Sequence, residues 1–389
     1  MWPKTMLMAL VMAVVTSVFI YCIKLNNYGF SGVDKLPPPV GNLPLSVSQT
    51  PRAVSGSPRL ESCRQVKAFY SDSEMKEAGF NPSLAKASLC LPQPRYLPLP
   101  PDNQHDCSLP YVTINSAGRL GNKITEYLSL SVIRKVFGVR VAIAQGMSDT
   151  LVAIFPKLSL PVATGECYPR VTHSESFAKL YMKLFAKSAD SRALDDTQLY
   201  PYPLQQSVYV KDFPCPSHIL ITMRDHFRQE FTFNQRVLRK AKVQVAAALQ
   251  ALNTALRDAT IVTVHVRRTD YLAHVKNYYK QSPVKDVYYQ RAFNFFRNRT
   301  HNPVFVVTSD DPEWCKNNFK DKDIVYAGGR DPVVDLAVLA LGDHHIITDG
   351  TFGFSGAFLG KGIIVYPEPT GWPVYPCFKT PLLHPISRT

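Results

Sequence analysis

Five short apolar runs rich in β-branched residues, at 261–266, 304–308, 324–327, 345–348 and 363–366, mark the last third of the chain. Stretches of helical period at 287–297, 312–319, 332–341 and 351–359 alternate with them. Strands of this length without polar alternation are buried on both faces, as in a parallel sheet covered by helices. Right-handed crossovers then bring every strand's carboxyl end to one edge, where such sheets bind ligands. Residues 107–258 carry a weaker version of the pattern. Strands are expected at 111–115, 140–144 and 218–223, helices at 123–137, 149–155 and 234–257, and an irregular stretch at 156–217. The expected fold class is therefore α/β, with an N-terminal lobe over 107–258 and a C-terminal lobe over 259–389. A chain of 389 residues, 46% hydrophobic, has ample apolar material for both.

The amino end follows a different rule. Residues 6–23 form an uncharged run between Lys4 and Lys24, and as a helix they span about 27 Å, close to the minimum for a bilayer. Bulky Phe19, Ile20, Tyr21 and Ile23 occupy the places where a cleaved signal needs small residues. The expectation is a five-residue cytoplasmic tail (1–5), a signal anchor (6–23) and a lumenal type II body. Prolines recur through 24–106, including three in a row at 37–39, so this segment is expected to be an extended stem.

Charge and cysteine usage narrow the partners. The net charge of +14 favours anionic ligands, but there is no block of five basic residues and no nucleic-acid motif, so a dedicated DNA or RNA binder is excluded. A diphosphate needs only a few placed cations. Apart from Cys22 in the anchor, the seven cysteines at 63, 90, 107, 167, 215, 315 and 377 form no C-x-x-C pair, which argues against a zinc knuckle or redox motif. Some are expected to pair in an oxidising lumen, leaving at least one unpaired. Asn298-Arg299-Thr300 is an acceptor sequon for glycosylation.

The densest chemistry is His265-Val266-Arg267-Arg268-Thr269-Asp270, at the end of the run TIVTVHV. On a strand, His265 and Arg267 share a face and Arg268 points away. An arginine at that edge can fork two N–H groups onto phosphate oxygens. Gly118, Gly121 and Asn122 lie at a strand-to-helix turn, where missing side chains admit close backbone approach. Thr351 and Phe352 open the last helix after Gly350, where N–H groups and a hydroxyl suit a phosphate; a simple N-cap has the same spelling. Asp321-Lys322-Asp323 spells a metal-binding D-x-D, but in a charged turn that reads as a solvated loop. Asp310-Asp311, at a strand end, is better placed for a cation. His344 and His345 read as packing residues.

These segments resemble a known family. H-x-R-R-x-D is the signature of α1,2- and α1,6-fucosyltransferases, and YVTINSAGRLGNKITEYLSL, FVVTSDDPEWCKNNF and HHIITDGTFG resemble blocks of the galactoside 2-α-L-fucosyltransferases, glycosyltransferase family eleven. The resemblance implies a GT-B-like fold of two Rossmann-like lobes and an inverting, metal-independent enzyme without cofactor. It implies GDP-fucose as donor, a β-galactoside-terminated glycan as acceptor and a Golgi membrane location. By the same resemblance Arg267 contacts the diphosphate, His265 and Asp270 hold the loop and donor oxygens, and Arg268 belongs to the donor site. Asp310 lies near guanosine, and Asp335 accepts the two guanine N–H donors. Helix capping is the plain alternative for Asp335. Two departures stand out: the tryptophan that family members usually carry soon after the TFG motif is missing from Gly353-Phe354-Ser355-Gly356-Ala357, and Tyr271 and Val275 replace the Lys and Glu of the α1,6 branch. Transfer to protein or core glycan, and an inactive membrane-tethered glycan- or nucleotide-binding protein, are the rival expectations.

Overall fold

The computed structural model describes residues 109–163, 204–211, 223–252, 258–328, 331–368 and 382–389, with Leu220 and scattered positions between 167 and 184. All belong to one compact unit, 92–389. The expected anchor, stem and cytoplasmic tail lie outside the described residues, and no helix among those described is long and apolar enough to cross a membrane.

The C-terminal half is built on six parallel strands, β6 (Thr260–Val266), β7 (Pro303–Ser309), β8 (Ile324–Tyr326), β9 (His344–Ile346), β10 (Ile364–Glu368) and β11 (Leu383–Ser387). Their spatial order is β8-β7-β6-β9-β10-β11. Numbered within this half, that is 3-2-1-4-5-6, the doubly wound order whose switch point lies between β6 and β9. Strands β6 and β7 are buried along almost their whole length, as the unbroken apolar spelling requires. Three helices carry clear start signals or an amphipathic face. Asp311 and Pro312 open α7 (Pro312–Asn318), and Asp331 and Pro332 open α8 (Pro332–Ala340), each aspartate accepting from backbone N–H groups of the first turn. On α6 (Asp286–Arg297) Tyr288, Tyr289, Ala292, Phe293 and Phe296 recur at helical spacing and are buried. Helix α9 (Thr351–Leu359) is buried all round except at Phe352, so it sits inside the molecule rather than on its face.

The N-terminal half is more finely divided. A three-stranded parallel sheet has the order β1-β5-β4, from β1 (Val112–Ile114), β4 (His173–Glu175) and β5 (Val208–Val210); β2 (Ile143–Ala144) and β3 (Val162–Ala163) form a separate pair. Helices α1 (Leu120–Phe137), α2 (Gln145–Val152), α3 (Arg224–Glu230) and α4 (Gln235–Gln250) accompany them. Three expectations change here. The stretch 156–217 contains β3, β4 and β5 rather than irregular chain alone. The run 218–223 is not a strand where it is described, because Leu220 is helical and Met223 lies in a turn; a short apolar run does not distinguish a buried helix from a strand. Helix α4 stops at Gln250.

Helix α9 packs on α8 and also on α1, so it is the element shared by the two sheet systems. Arg224, on α3, is buried and donates to the carbonyls of Phe358 (2.9 Å), Ala357 (2.6 Å) and Gly362 (2.8 Å) at the end of α9. A cation on the last carbonyls complements the helix dipole. Cys167 is disulfide-bonded to a cysteine outside the described residues, while Cys315 is free and buried.

Candidate functional site

At the switch point, β6 runs into Arg267, and the Arg267 N–H donates to Thr348 Oγ1 (3.3 Å) beyond β9. This ties the two diverging strand ends together, with a water-sized gap beside them at the carboxyl edge. Arg267, Arg268, Tyr271, Thr348 and Asp349 are among its lining residues.

Arg267 is held from two sides. One terminal nitrogen meets Asp310 at 2.9 Å and the other meets Asp270. Two of its five N–H donors are thus committed, and the remainder of the fork is available to an anion. Arg268 does not simply point away: its backbone N–H donates to Asp310 (2.8 Å), its Nε to Asp311 (3.2 Å), and its guanidinium lies 3.8 Å over the Trp314 ring. Thr269 also donates to Asp310. Asp310 therefore organises the whole RRT turn, and Asp311 caps α7.

Asp270 opens helix α5 (Thr269–Asn277), and Arg119 reaches it from the start of α1 at 3.2 Å. Asp270 is the most exposed of these site carboxylates, at 55% of its side chain. Asp349 is different. It is buried and forked by the equally buried Arg388 at 2.6 and 2.8 Å, which unsuits it as the proton acceptor in a transfer reaction.

His265 lies in the floor, 6% exposed, with its ring 5.3 Å from that of Phe352. Its Nδ1 has no hydrogen-bond partner in the structure and faces Gly353, where an added Cβ would stand 2.6 Å away. Burial lowers its pKa to about 4, with Asp310 opposing and Arg267 reinforcing the shift. At neutral pH the ring is uncharged.

The glycines of the first turn have a specific task. Gly118 has φ +78° and abuts the Asn122 side chain, a conformation that disfavours other residues. At Gly121 a Cβ would meet the backbone N of Phe352 at 2.5 Å, so the missing side chain admits helix α9 rather than a ligand at that atom. Thr351 Oγ1 donates to Asn122 Oδ1 (2.5 Å), and Ser355 to the Gly121 carbonyl (3.3 Å). The amino ends of α1 and α9 therefore converge, and neither carries a side-chain cap. Two such ends concentrate positive potential beside Arg267.

Asp335 does not cap α8, since Asp331 does. Its carboxylate lies against Gly328, just past β8, where a Cβ would come within 2.2 Å of Oδ1. Asp321 and Asp323 are both bound by Arg297, at 2.8 and 2.6 Å, so the D-x-D spelling is an ion-pair clamp. His345 bonds Thr263 (2.7 Å), and His344 accepts from the Ile363 N–H (3.0 Å); both are packing residues as expected. Asn298 is exposed at the end of α6. The sequence reading missed Arg119, Arg224 and Arg388, whose partners are all distant in the chain.

A model of the family described as Glycosyl transferase family 11 matches residues 88–376. The chain belongs to that family. Galactoside alpha-(1,2)-fucosyltransferase 1 of Saimiri sciureus is 34% identical over 288 residues, covering 72% of this chain and 74% of the relative. The Homo sapiens protein of that name is 34% identical over 269 residues, 68% of this chain and 69% of the relative. Among solved structures, POFUT1 in complex with GDP-fucose aligns with a TM-score of 0.41 at 12% identity, over 68% of this chain and 99% of that one. The family member described here is a glycosyltransferase, and a fucosyltransferase by the relatives it matches.

Proposed function

We propose that the chain transfers L-fucose from GDP-β-L-fucose, with inversion, to O2 of a terminal β-galactoside on a glycan. The carrying observation is that three elements meet at the switch point of the six-stranded sheet: Arg119 at the start of α1 shares Asp270 with Arg267, and Phe352 at the start of α9 lies on His265, two residues before Arg267. In this reading the two sheet systems are the lobes of a GT-B arrangement, 107–258 on the acceptor side and 259–389 on the donor side. The diphosphate lies against Arg267, with Thr351, Phe352, Arg268, Gly118, Gly121 and Asn122 completing the surround. Guanine lies towards Asp335, on the β7–β8 side that Asp310 borders.

The acceptor hydroxyl attacks the anomeric carbon opposite GDP. A C–O bond forms there as the bond to the β-phosphate oxygen breaks, and the hydroxyl proton passes to Asp270 or to water. Asp270 is the exposed carboxylate at this edge, and it pairs with Arg119 and Arg267. Neutral His265 supports the floor of the site beneath Phe352. Negative charge growing on GDP is met by Arg267 and the α9 end, which is the electrostatic work a metal does in other glycosyltransferases.

The same reading places the chain in the Golgi membrane as a single-pass type II protein, anchored by 6–23 and held off by the stem 24–106. The disulfide at Cys167 and the exposed sequon at Asn298 support an oxidising, glycosylating compartment. GDP release from GDP-fucose, measured with and without acceptor and in EDTA, tests the activity. Acceptor-dependent release from β-galactosides that persists in EDTA is expected. Release stimulated instead by peptide or core-glycan acceptors would move the specificity to the rival transferases, and absence of GDP affinity would leave a binding protein of another kind.

A further inference from the structure

Helix α5 leaves the site carrying a stripe of aromatic rings that the donor chemistry does not use. Tyr271, His274 and Tyr278 stand at i, i+3 and i+7, and Asp270, His274 and Tyr278 at i, i+4 and i+8, so one helix face joins the site to all three rings. The Tyr271 and His274 rings are 5.1 Å apart; those of His274 and Tyr278 are stacked at 5.1 Å with an interplanar angle of 11°. Tyr279 stands edge-on to both His274 and Tyr278. The near end is fixed at the site, because a Cβ on Gly350, the first residue of the α9 turn, would lie 3.2 Å from the Tyr271 hydroxyl.

The far end is open. Tyr278 is 73% exposed and His274 is exposed beside it. The turn that presents them is built with care: the Tyr278 N–H donates to the His274 carbonyl (2.8 Å), the Gln281 N–H returns to the Val275 carbonyl (3.3 Å), and Lys280 takes a left-handed φ of +54°. A non-glycine residue in that region is uncommon. An aromatic face left in water at a site's rim, with its polar tip hydrated, is suited to stacking against a ligand.

We propose that Tyr278, backed by the His274 ring stacked beneath it, forms the platform for the second sugar of the acceptor, counted inward from the residue that receives fucose. This rests on the transferase reading above and gives it a subsite. Eight residues of helix carry the stripe about 12 Å from Asp270, the reach of two linked pyranose rings. The flat C–H face of a pyranose stacks on an exposed aromatic ring, and its hydroxyls remain in water. The terminal galactoside then lies near Asp270 and Tyr271, and the next sugar lies on Tyr278. The ligand class is therefore a β-galactosyl disaccharide or longer glycan rather than a lone galactoside.

The test compares Tyr278→Ala with Tyr278→Trp in the full chain, using methyl β-galactoside and a β-galactosyl disaccharide as acceptors. The wild type is expected to prefer the disaccharide. Tyr278→Ala is expected to lower that preference about five- to tenfold through KM with kcat retained, and Tyr278→Trp to restore it. The Kd for GDP, from calorimetry, is expected to stay at its wild-type value in both variants. An unchanged preference in Tyr278→Ala, or a wild type indifferent to the second sugar, overturns the platform. Failure of the wild type to bind GDP or use either acceptor overturns the transferase reading instead.

Discussion

The two halves of the described molecule solve the same problem with different materials. In the C-terminal half the strands reach seven residues and are buried on both faces, and the half carries its own aromatic core around Tyr288, Phe293, Phe296 and Phe305. In the N-terminal half the strands are two or three residues long. A segment that short contributes too few ladder bonds to stand alone, so it holds its place through α1 and its neighbours. The half with the deep sheet supplies Arg267, Arg268, Asp310 and the α9 end. The other supplies one helix end and Arg119. Precision at the candidate site thus resides in the C-terminal sheet, and the N-terminal half completes it through contact with α9.

The largest effect that separates the halves is expected at Arg267. Replacing it by alanine removes the cation proposed to face the leaving group but leaves the core untouched. A loss of at least about 10²-fold in kcat/KM is expected, with GDP affinity weakened. Thermal melting alongside the assay distinguishes chemistry from folding. Near wild-type turnover by a folded Arg267→Ala enzyme would remove the central cation from the mechanism.

A stability effect is expected at the seam between the halves. Arg224→Met would leave the carbonyls of Ala357, Phe358 and Gly362 without their donor. Hydrogen bonds to a charged group are individually strong, and buried carbonyls left unmet are costly, so a loss of roughly 3 kcal/mol is expected. Urea unfolding would show it as a lower midpoint at an unchanged slope. If the midpoint does not move, α9 is anchored by its amino end alone, through Gly121, Asn122 and Thr351.

What the sequence disclosed follows the same division. Strands β6 to β10 and helices α6 to α9 were legible because burial on both faces leaves an unbroken apolar spelling, and because Asp-Pro marks two helix starts. Strand β11 was missed: Pro385 lies within it, and an edge strand tolerates a proline that a central one does not. Helix α5 was missed because it is short and polar at its start. HVRRTD pointed to the candidate site, and its residues do sit together on one turn. The clasp of Asp349 by Arg388 and the reach of Arg119 to Asp270 join residues 39 and 151 positions apart, and no local pattern encodes them. Gly121 was legible as a close approach, but what approaches it, the backbone of α9, is a tertiary fact.

The smallest expected effect contrasts one buried titratable group in each half. His265, in the C-terminal half, has its pKa lowered to about 4 by burial. Its unfolded form binds a proton first as pH falls below about 6.5, so its contribution to stability is full above that value and declines towards pH 4. Glu126, on α1 in the N-terminal half, is 2% exposed and has its pKa raised to about 8 by desolvation, against the opposing pull of Lys123 and the Ala117 N–H. The sign reverses for this group. Its stability contribution is full below about pH 4.5 and declines as pH rises towards 8, because the folded state retains a proton that the unfolded state has lost. Between pH 6 and pH 7.5 this linkage amounts to about 2 kcal/mol. Glu126→Gln keeps an amide oxygen for the Ala117 N–H and cannot ionise. The variant is therefore expected to gain on the wild type progressively from pH 6 to pH 7.5 in urea unfolding, while the difference flattens only below about pH 4. Parallel curves across that window would mean that Glu126 ionises freely in the folded state and that the N-terminal half is wetter than its burial implies.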